Sequence, residues 1–204
     1  MKILVLGGGG REHAIVNALA RSPQQPELLC APGNPGIAAS ARCLPDLDPV
    51  DTAAVTEFAR DEGVDLVVVG PEAPLVAGVV DALNEAGIAA FGPGREAARL
   101  EGSKAFAKQA MEEAGVPTAG YSVVRDREAA LEAVASSSFP VVLKADGLAA
   151  GKGVLICLTE EEARAAVDIF FTERRFGETE VVVEEFLDGE ELSLLAICDG
   201  ERAI

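Results

Sequence analysis

The apolar positions of the first hundred residues alternate between short unbroken runs and stretches with helical spacing. Lys2–Leu6 and Asp65–Val69 are predicted strands whose apolar runs require cover on both faces. Such strands, separated by helices, are typical of a parallel sheet with helices on both sides. The pattern therefore predicts a doubly wound α/β domain. Its predicted strands lie at 2–6, 27–31, 65–69 and 88–91, and its predicted helices at 13–21, 52–62 and 76–86.

The pattern changes near Gly102, so we predict one domain over residues 1–102 and a second, α+β domain over residues 103–204. Ser103 is a good helix cap, and the helix after it is predicted to run to about Gly115. Asp199-Gly200 is typical of a two-residue hairpin turn. Because the chain stops where the returning strand should begin, we expect it to be part of a longer polypeptide. The other predicted strands lie at 121–124, 141–145, 154–158, 180–186 and 191–197, and the other predicted helices at 126–136 and 160–172.

Composition and charge exclude several classes of protein. The formal charge of −17 argues against binding to nucleic acid or to anionic membranes, because their phosphates would be repelled. Four scattered cysteines and a single histidine argue against a zinc site or a disulfide framework. No apolar run approaches the ~18–20 residues that cross a bilayer, and Met1–Leu6 fits a first strand better than a signal peptide. The sequence therefore indicates a cytoplasmic protein.

A glycine-rich segment, Leu6–His13, lies between the first predicted strand and its helix. Glycines there let the backbone approach an anion, and the helix amino terminus offers free N–H donors. A dinucleotide fits poorly, because Glu12 stands at the third glycine position and the second strand ends in Ala31-Pro32 rather than in an acidic residue. A phosphate-bearing small molecule, with Asn34 and Glu72 on neighbouring loops, is better supported. A tight turn without a ligand stays open.

A second glycine-rich loop, Asp146–Gly153, joins two predicted strands, and Lys144 stands near the end of the first of them. Such a loop suits a triphosphate, because it can fold over the phosphates while the lysine supplies a fixed charge. It is not a Walker loop, since the spacing is one residue short and Gly153 fills the Ser/Thr position. A plain β-hairpin with a flexible tip is the alternative.

The third segment, Val181–Glu191, is a strand that runs into an acidic bend containing Gly189. Backbone groups at such a bend can meet an adenine edge, and a carboxylate can hold ribose hydroxyls. Taken alone, the segment fits a solvated acidic turn better.

Together these segments resemble one family, phosphoribosylamine–glycine ligase (glycinamide ribonucleotide synthetase) of the ATP-grasp superfamily. The order and spacing of the matches agree along the whole chain, which makes them more specific than any single glycine loop. The matching segments are Gly9–Ala14, Ala31–Asn34, Val69–Val76, Phe91–Pro93, Leu100–Phe106, Lys144–Gly153 and Glu184–Glu191.

The resemblance implies that ATP phosphorylates the carboxylate of glycine and that the amine of 5-phosphoribosylamine attacks the acyl phosphate. No protein nucleophile is needed, so we expect no catalytic residue of that kind. It also implies that residues 121–194 form a nucleotide-binding lid within a truncated ATP-grasp domain. The residues that match ATP-binding positions are Lys104, Lys144, Gly147, Gly151, Lys152, Gly153, Glu184, Glu185, Leu187 and Glu191. Those that match the phosphoribosylamine loops are Gly10, Arg11, Glu12, Asn34 and Glu72.

The family also uses Mg²⁺ (or Mn²⁺), whose Glu and Asn ligands belong to a later part of the fold. We therefore expect the metal ligands beyond residue 204, and the 204-residue chain alone to be inactive. Arg175–Glu178 resembles a downstream signature of the family but stands in the wrong place, so it is interpreted as a loop. We expect small-molecule partners only and a monomer. The alternatives are another ATP-grasp carboxylate–amine ligase, or a nucleotide-binding module without turnover.

Overall fold

The computed structural model describes residues 1–148, 152–198 and 200–204. The chain forms two compact units: residues 1–118 with 145–153, and residues 119–144 with 154–204. The domain boundary placed at residue 102 from the sequence stays a prediction. Within the described residues, no helix has both the length and the apolar character needed to cross a bilayer.

The first unit is built on a five-stranded sheet in the order β3-β2-β1-β4-β5, and all its strand pairs are parallel. The four predicted strands are confirmed. β3 was missed, because two residues carry no apolar pattern. The strands are β1 Lys2–Gly7, β2 Glu27–Pro32, β3 Arg42–Cys43, β4 Leu66–Val69 and β5 Ala89–Phe91.

The sheet is covered on both faces, as a doubly wound fold requires. Leu4 and Leu6 of β1 belong to one apolar core, which includes Val55 and Leu83 from helices. Ile3 and Val5 face the other core, together with the helical Val16. Because successive side chains of a strand point to opposite faces, the unbroken apolar run of β1 fills both cores. The predicted fold class is confirmed.

Six α-helices and one 3-10 turn are assigned among the described residues of this unit. The predicted helix at 76–86 is wrong as a single helix: Gly78 adopts a positive φ of 89° and separates two short ones. The helix after Pro93-Gly94 was not predicted. The helices are α1 Gly10–Ala20, α2 Thr52–Asp61, α3 Glu72–Ala77, α4 Val79–Glu85, α5 Arg95–Gly102 and α6 Lys104–Glu113, and the 3-10 turn is Ile37–Ala39.

The second unit contains a four-stranded sheet in the order β6-β9-β7-β8 and two helices. β6 pairs with β9 and β7 pairs with β8 in antiparallel fashion, as expected for an α+β domain. Asp126 and Thr159 cap the two helices. The elements are β6 Tyr121–Val124, α7 Arg127–Ala135, β7 Val141–Ala145, β8 Val154–Cys157, α8 Glu160–Phe171 and β9 Val181–Glu185.

The strand predicted at 191–197 is wrong. These residues form no strand, and Leu192, Leu194 and Leu195 are about 90% exposed. A strand needs a partner for its backbone groups, and none of the described strands pairs with this segment. Ile197 and Ile204 do exchange two backbone hydrogen bonds, of 2.9 and 3.0 Å. The predicted turn at Asp199-Gly200 falls partly outside the described residues, because Asp199 is not among them.

Candidate functional site

The loops that follow β1 and β4 lie where the strand order of the first sheet reverses. On one side β1 is followed by β2 and β3, and on the other by β4 and β5. In open parallel sheets, ligands bind outside the carboxyl ends of the strands at such a switch point. The loop after β1 leads into Gly10 and Arg11 at the start of α1, and the loop after β4 leads into Glu72 at the start of α3. Residues from two of the predicted segments therefore share one edge of the sheet.

Glu12 is buried between these loops, with 3% of its surface exposed. Its Oε2 accepts a hydrogen bond from Gly9 N at 2.7 Å, and its Oε1 accepts one from Arg11 Nε at 3.0 Å. Gly70 leaves room for the carboxylate, because a Cβ there would lie 2.3 Å from Glu12 Oε1. Both oxygens of this predicted substrate contact are therefore engaged by the protein, and Oε2 satisfies the backbone N–H of Gly9, the cap residue of α1.

Asn34 ties the loop after β2 to the loop after β1. Its Nδ2 donates to Gly8 O at 2.9 Å, and its Oδ1 accepts from Ile37 N at 2.9 Å. The side chain thus closes an Asx-type turn and holds the glycine loop from the side. In this structure Asn34 positions the loop, although it was predicted as a substrate contact.

A cavity of about 530 Å³ opens at this edge of the sheet, within the range of roughly 300–1,000 Å³ for small-molecule sites. Arg11 and Glu72 both line it and form an ion pair, with Arg11 Nη2 3.7 Å from Glu72 Oε2. The cavity therefore offers a cation and carboxylates at one opening. Its lining residues are Arg11, Gly70, Glu72, Leu75, Pro93, Ala97, Ala98, Leu100 and Glu101.

The wall contributed by α5 was not among the predicted site residues. Ala97, Leu100 and Glu101 are spaced three and four residues apart and thus lie on one helical face. The sequence did carry a signal, because Leu100 and Glu101 open one of the segments that resemble the family. Because α5 was not predicted, the helical face that these residues share was not recognised.

Cys30 lies below the glycine loop, fully buried on β2. Its thiol donates to Gly7 O at 3.2 Å. Burial, with smaller contributions from the neighbouring Cys43 and Glu12, raises the pKa of Cys30 to about 11. The thiol is therefore held in its neutral form and supports the loop.

The start of α6 is joined to the second glycine-rich loop. Ser103 caps α6 by accepting from Phe106 N at 3.1 Å, and its hydroxyl donates to Asp146 Oδ2 at 2.9 Å. Asp146 Oδ1 also accepts from Ala105 N at 3.1 Å. Lys104 Nζ donates to Gly147 O at 2.9 Å. The predicted ATP residues Lys104 and Gly147 are therefore in direct contact, and Asp146, which was not singled out, binds Ser103 and Ala105 on either side of Lys104.

The other predicted residues of this loop are Gly151, Lys152 and Gly153. Gly151 lies outside the described residues. Lys152 is exposed, and Gly153 O accepts a hydrogen bond from Ala145 N at 2.8 Å. That bond closes the base of the loop just after β7.

Lys144 and Glu184 form an ion pair between the neighbouring strands β7 and β9. The Glu184 side chain is 6% exposed and that of Lys144 is 29% exposed. A buried carboxylate requires such a partner, because removal from water disfavours its charge. Two residues predicted to meet different parts of ATP are thus paired with each other.

Glu184 and Glu185 line a cavity of about 550 Å³ in the second unit, which β6, β9 and α7 surround. Glu185 Oε2 accepts a long hydrogen bond from Gly120 N at 3.4 Å. Leu187 and Glu191 follow the last strand in an exposed segment without regular structure. The predicted adenine and ribose residues therefore begin on a strand and end on an irregular chain.

No group of three or more His, Cys, Asp or Glu side chains converges within residues 1–148, 152–198 and 200–204.

Two family models match the chain from end to end. The phosphoribosylglycinamide synthetase N domain matches residues 1–101, and the phosphoribosylglycinamide synthetase ATP-grasp (A) domain matches residues 102–204. These matches confirm the family resemblance drawn from the motifs.

Similar proteins carry a consistent name. The chain is 52% identical over 206 residues to phosphoribosylamine–glycine ligase of Mesorhizobium japonicum, covering 100% of this chain and 48% of that protein. It is 55% identical over 202 residues to the protein of the same name from Streptomyces coelicolor, covering 99% and 46%. The crystal structure of phosphoribosylamine–glycine ligase from Thermotoga maritima superimposes with a TM-score of 0.83 at 35% identity, covering 100% of this chain and 48% of that one. The chain thus spans about half the length of these relatives.

Proposed function

The chain belongs to the phosphoribosylglycinamide synthetase family, and on this premise we propose that it serves a ligase of purine biosynthesis that joins glycine to 5-phosphoribosylamine. ATP is cleaved to ADP and phosphate in the proposed reaction. One observation carries the proposal: 52% identity along the whole chain to a phosphoribosylamine–glycine ligase. Because the chain spans about half of such relatives, the activity is proposed for the complete polypeptide.

The proposed chemistry has two steps. A carboxylate oxygen of glycine attacks the γ-phosphorus of ATP, the bond to the bridging oxygen breaks, and glycyl phosphate and ADP result. The amine nitrogen of phosphoribosylamine then attacks the acyl carbon, loses a proton and expels phosphate, which leaves an amide. Both steps need reactants in line and negative charge neutralised, and neither needs a protein nucleophile.

Lys104 and Lys144 supply the positive charge in this proposal. Lys104 lies in the first turn of α6, where backbone N–H groups also favour an anion, and it already contacts Gly147 of the glycine-rich loop. Lys144 lies at the end of β7, where Glu184 balances its charge. A polyphosphate that binds Lys144 competes with Glu184 for the ammonium group, and Glu184 is then released to accept from the nucleoside. Gly147, Lys152 and Gly153 are proposed to contact the phosphates, and Glu185, Leu187 and Glu191 the adenosine.

The amine substrate is proposed to bind at the carboxyl edge of the first sheet. Gly10 and Arg11 would hold its phosphate, because the start of α1 presents backbone donors beside a guanidinium group. Glu72 lines the same cavity. Glu12 and Asn34 would act by holding the loops, since their polar atoms already bind Gly9, Arg11, Gly8 and Ile37.

Magnesium is proposed to accompany ATP with ligands from outside the described residues. We further propose that the enzyme acts as a monomer in the cytoplasm and that the 204-residue chain alone does not turn over. Light scattering tests whether the enzyme is a monomer, and cell fractionation tests its location. Product formed by the purified 204-residue chain would refute its proposed inactivity.

The deciding experiment uses the protein encoded by the complete reading frame. ADP release should require both glycine and phosphoribosylamine. Lys144→Ala should lower kcat by at least about 100-fold, whereas Lys2→Ala, which removes an ion-pair lysine elsewhere, should not. Unfolding curves of both variants must be recorded, because Lys144→Ala also removes the partner of a buried carboxylate.

Release that depends on a different carboxylate or amine would place the protein with another ATP-grasp ligase. Nucleotide binding without any turnover would indicate a binding module. Either outcome would overturn the proposed substrates while leaving the family membership intact.

A further inference from the structure

The carboxylate of Glu101 stands out among the charged groups of α5. Arg95 donates to Ala77 O, and Arg99 pairs with Glu96 at 2.5 Å and lies over the Phe106 ring at 3.9 Å. Among the described residues, the Glu101 carboxylate has neither a hydrogen bond nor an ion pair. It faces the cavity at the carboxyl edge of the first sheet.

The position of Glu101 is also unfavourable for the helix that carries it. It is the last residue but one of α5, where the partial negative charge of the helix end repels a carboxylate. Arg99 is the basic residue in the last turn of α5, but its guanidinium group pairs with Glu96 and not with Glu101. A residue that breaks a local rule without a structural gain is a candidate for function.

The two carboxylates that line the cavity, those of Glu72 and Glu101, differ in their partners. Glu72 is paired with Arg11, so its charge is already balanced. Glu101 retains two free oxygens, and the small side chains of Ala97 and Ala98 leave space beside it. Free carboxylate oxygens accept from hydroxyl groups in short, charge-assisted bonds of about 2.5–2.7 Å.

The proposed amine substrate offers two kinds of donor to Glu101, the amine and the ribose hydroxyls. A carboxylate on the amine would stabilise the ammonium form, which has no lone pair with which to attack glycyl phosphate. The hydroxyls carry no such conflict, and a vicinal diol presents two O–H groups to the two oxygens of one carboxylate.

We propose that Glu101 accepts hydrogen bonds from the ribose hydroxyls of the amine substrate and makes this cavity specific for a ribose phosphate over a deoxyribose phosphate. This inference rests on the proposed function and adds to it a residue that determines sugar specificity. Glu101 is assigned no part in the reaction at the amine.

The test measures binding of two stable probes to the 204-residue chain by calorimetry. Wild type should bind ribose 5-phosphate about tenfold more tightly than 2-deoxyribose 5-phosphate, because the deoxy sugar lacks one charge-assisted hydrogen bond. Glu101→Gln should reduce this preference to about two- to threefold. Glu96→Gln, the same change on the same helix outside the cavity, should leave the preference at about tenfold.

Equal binding of the two sugars by wild type, an unchanged preference in Glu101→Gln, or no binding of ribose 5-phosphate would overturn the proposal. In the complete enzyme, Glu101→Gln should raise KM for phosphoribosylamine about tenfold, with KM for ATP unchanged and kcat within about twofold. A purely structural effect would move all three constants. Failure of the proposed function would be recognised by a different result: ADP release by the wild-type enzyme would not depend on phosphoribosylamine.

Discussion

At the scale of single residues, the buried thiol of Cys30 couples stability to pH. Its pKa is about 11 in the folded chain and 9.0 in the absence of burial. Between these values the unfolded chain loses a proton that the folded chain keeps. The free energy of unfolding is therefore undiminished below pH 9 and falls as pH rises through the window.

We expect this loss to reach about 1 kcal/mol between roughly pH 8 and pH 10. Cys30→Ser keeps a donor for Gly7 O and removes the titration. Urea unfolding should therefore show a steeper fall for wild type than for Cys30→Ser, once the groups common to both are subtracted. Parallel pH profiles would show that the thiol does not contribute.

Gly70 shows how closely the loops are built around Glu12. A Cβ at position 70 would lie 2.3 Å from Glu12 Oε1, whereas a Cβ at Gly10 meets nothing within 4 Å. Gly70→Ala should lower the free energy of unfolding by about 1–3 kcal/mol. Gly10→Ala, in the first turn of α1, should raise it or leave it unchanged.

The effects of Gly70→Ala and Glu12→Ala on the free energy of unfolding should be coupled. In a Glu12→Ala background the added methyl group of Gly70→Ala meets no carboxylate, so its cost should fall. Chemical denaturation of the four proteins of this cycle measures the coupling. A cost for Gly70→Ala that is independent of residue 12 would mean that another contact excludes the methyl group.

At the scale of elements, predictability followed the length and burial of each segment. β1, β4 and β7 were predicted because each is a run of buried apolar residues. β3 was missed because Arg42–Cys43 has no strand-like apolar pattern of its own and is a strand only through its pairing with β2. The segment 191–197 has a strand-like composition but lacks a paired neighbour among the described strands, which local sequence does not reveal.

The motifs of the candidate site could be predicted from the sequence, but which of their side chains bind the protein itself could not. Glycine loops and lysines carry a local signal, because their geometry depends on adjacent residues. Whether Glu12 faces a ligand or the protein depends on Gly70, which is distant in sequence. The hydrogen bond between Ser103 and Asp146 spans 43 residues and lies equally beyond local pattern.

The cap of α6 should behave as one unit with the second glycine-rich loop. Ser103→Ala and Asp146→Ala each remove hydrogen bonds at the start of α6 and should each cost about 1 kcal/mol. Since they share the bond between Ser103 Oγ and Asp146 Oδ2, the double variant should cost less than the sum by about 0.5–1 kcal/mol. Denaturant unfolding of the cycle gives this coupling.

Asp126 supplies the control for this cycle. It caps α7 by accepting from Ala129 N at 2.9 Å, and it belongs to the second compact unit, whereas Ser103 and Asp146 belong to the first. Asp126→Ala should therefore be additive with Ser103→Ala. Strict additivity of the Ser103 and Asp146 changes as well would show that the two caps act separately.

At the scale of the whole molecule, two opposing forces act between copies of this chain. The formal charge of −17 repels like copies. The irregular segment 187–197 presents five large apolar side chains to solvent, and three of them are about 90% exposed: Leu192, Leu194 and Leu195. Burial of such a side chain gains about 1.5–3 kcal/mol, so a few of them favour association once the repulsion is screened.

We therefore expect the 204-residue chain to associate more strongly as salt increases. The screening length falls from about 30 Å at 0.01 M to about 3 Å at 1 M salt, which weakens the repulsion but not the apolar contact. Leu194→Glu with Leu195→Glu should keep the chain monomeric at high salt. Leu158→Glu, at another exposed leucine, should not. Light scattering across a salt series measures the mass, and association that weakens with salt, or that survives the double substitution, would place the contact elsewhere.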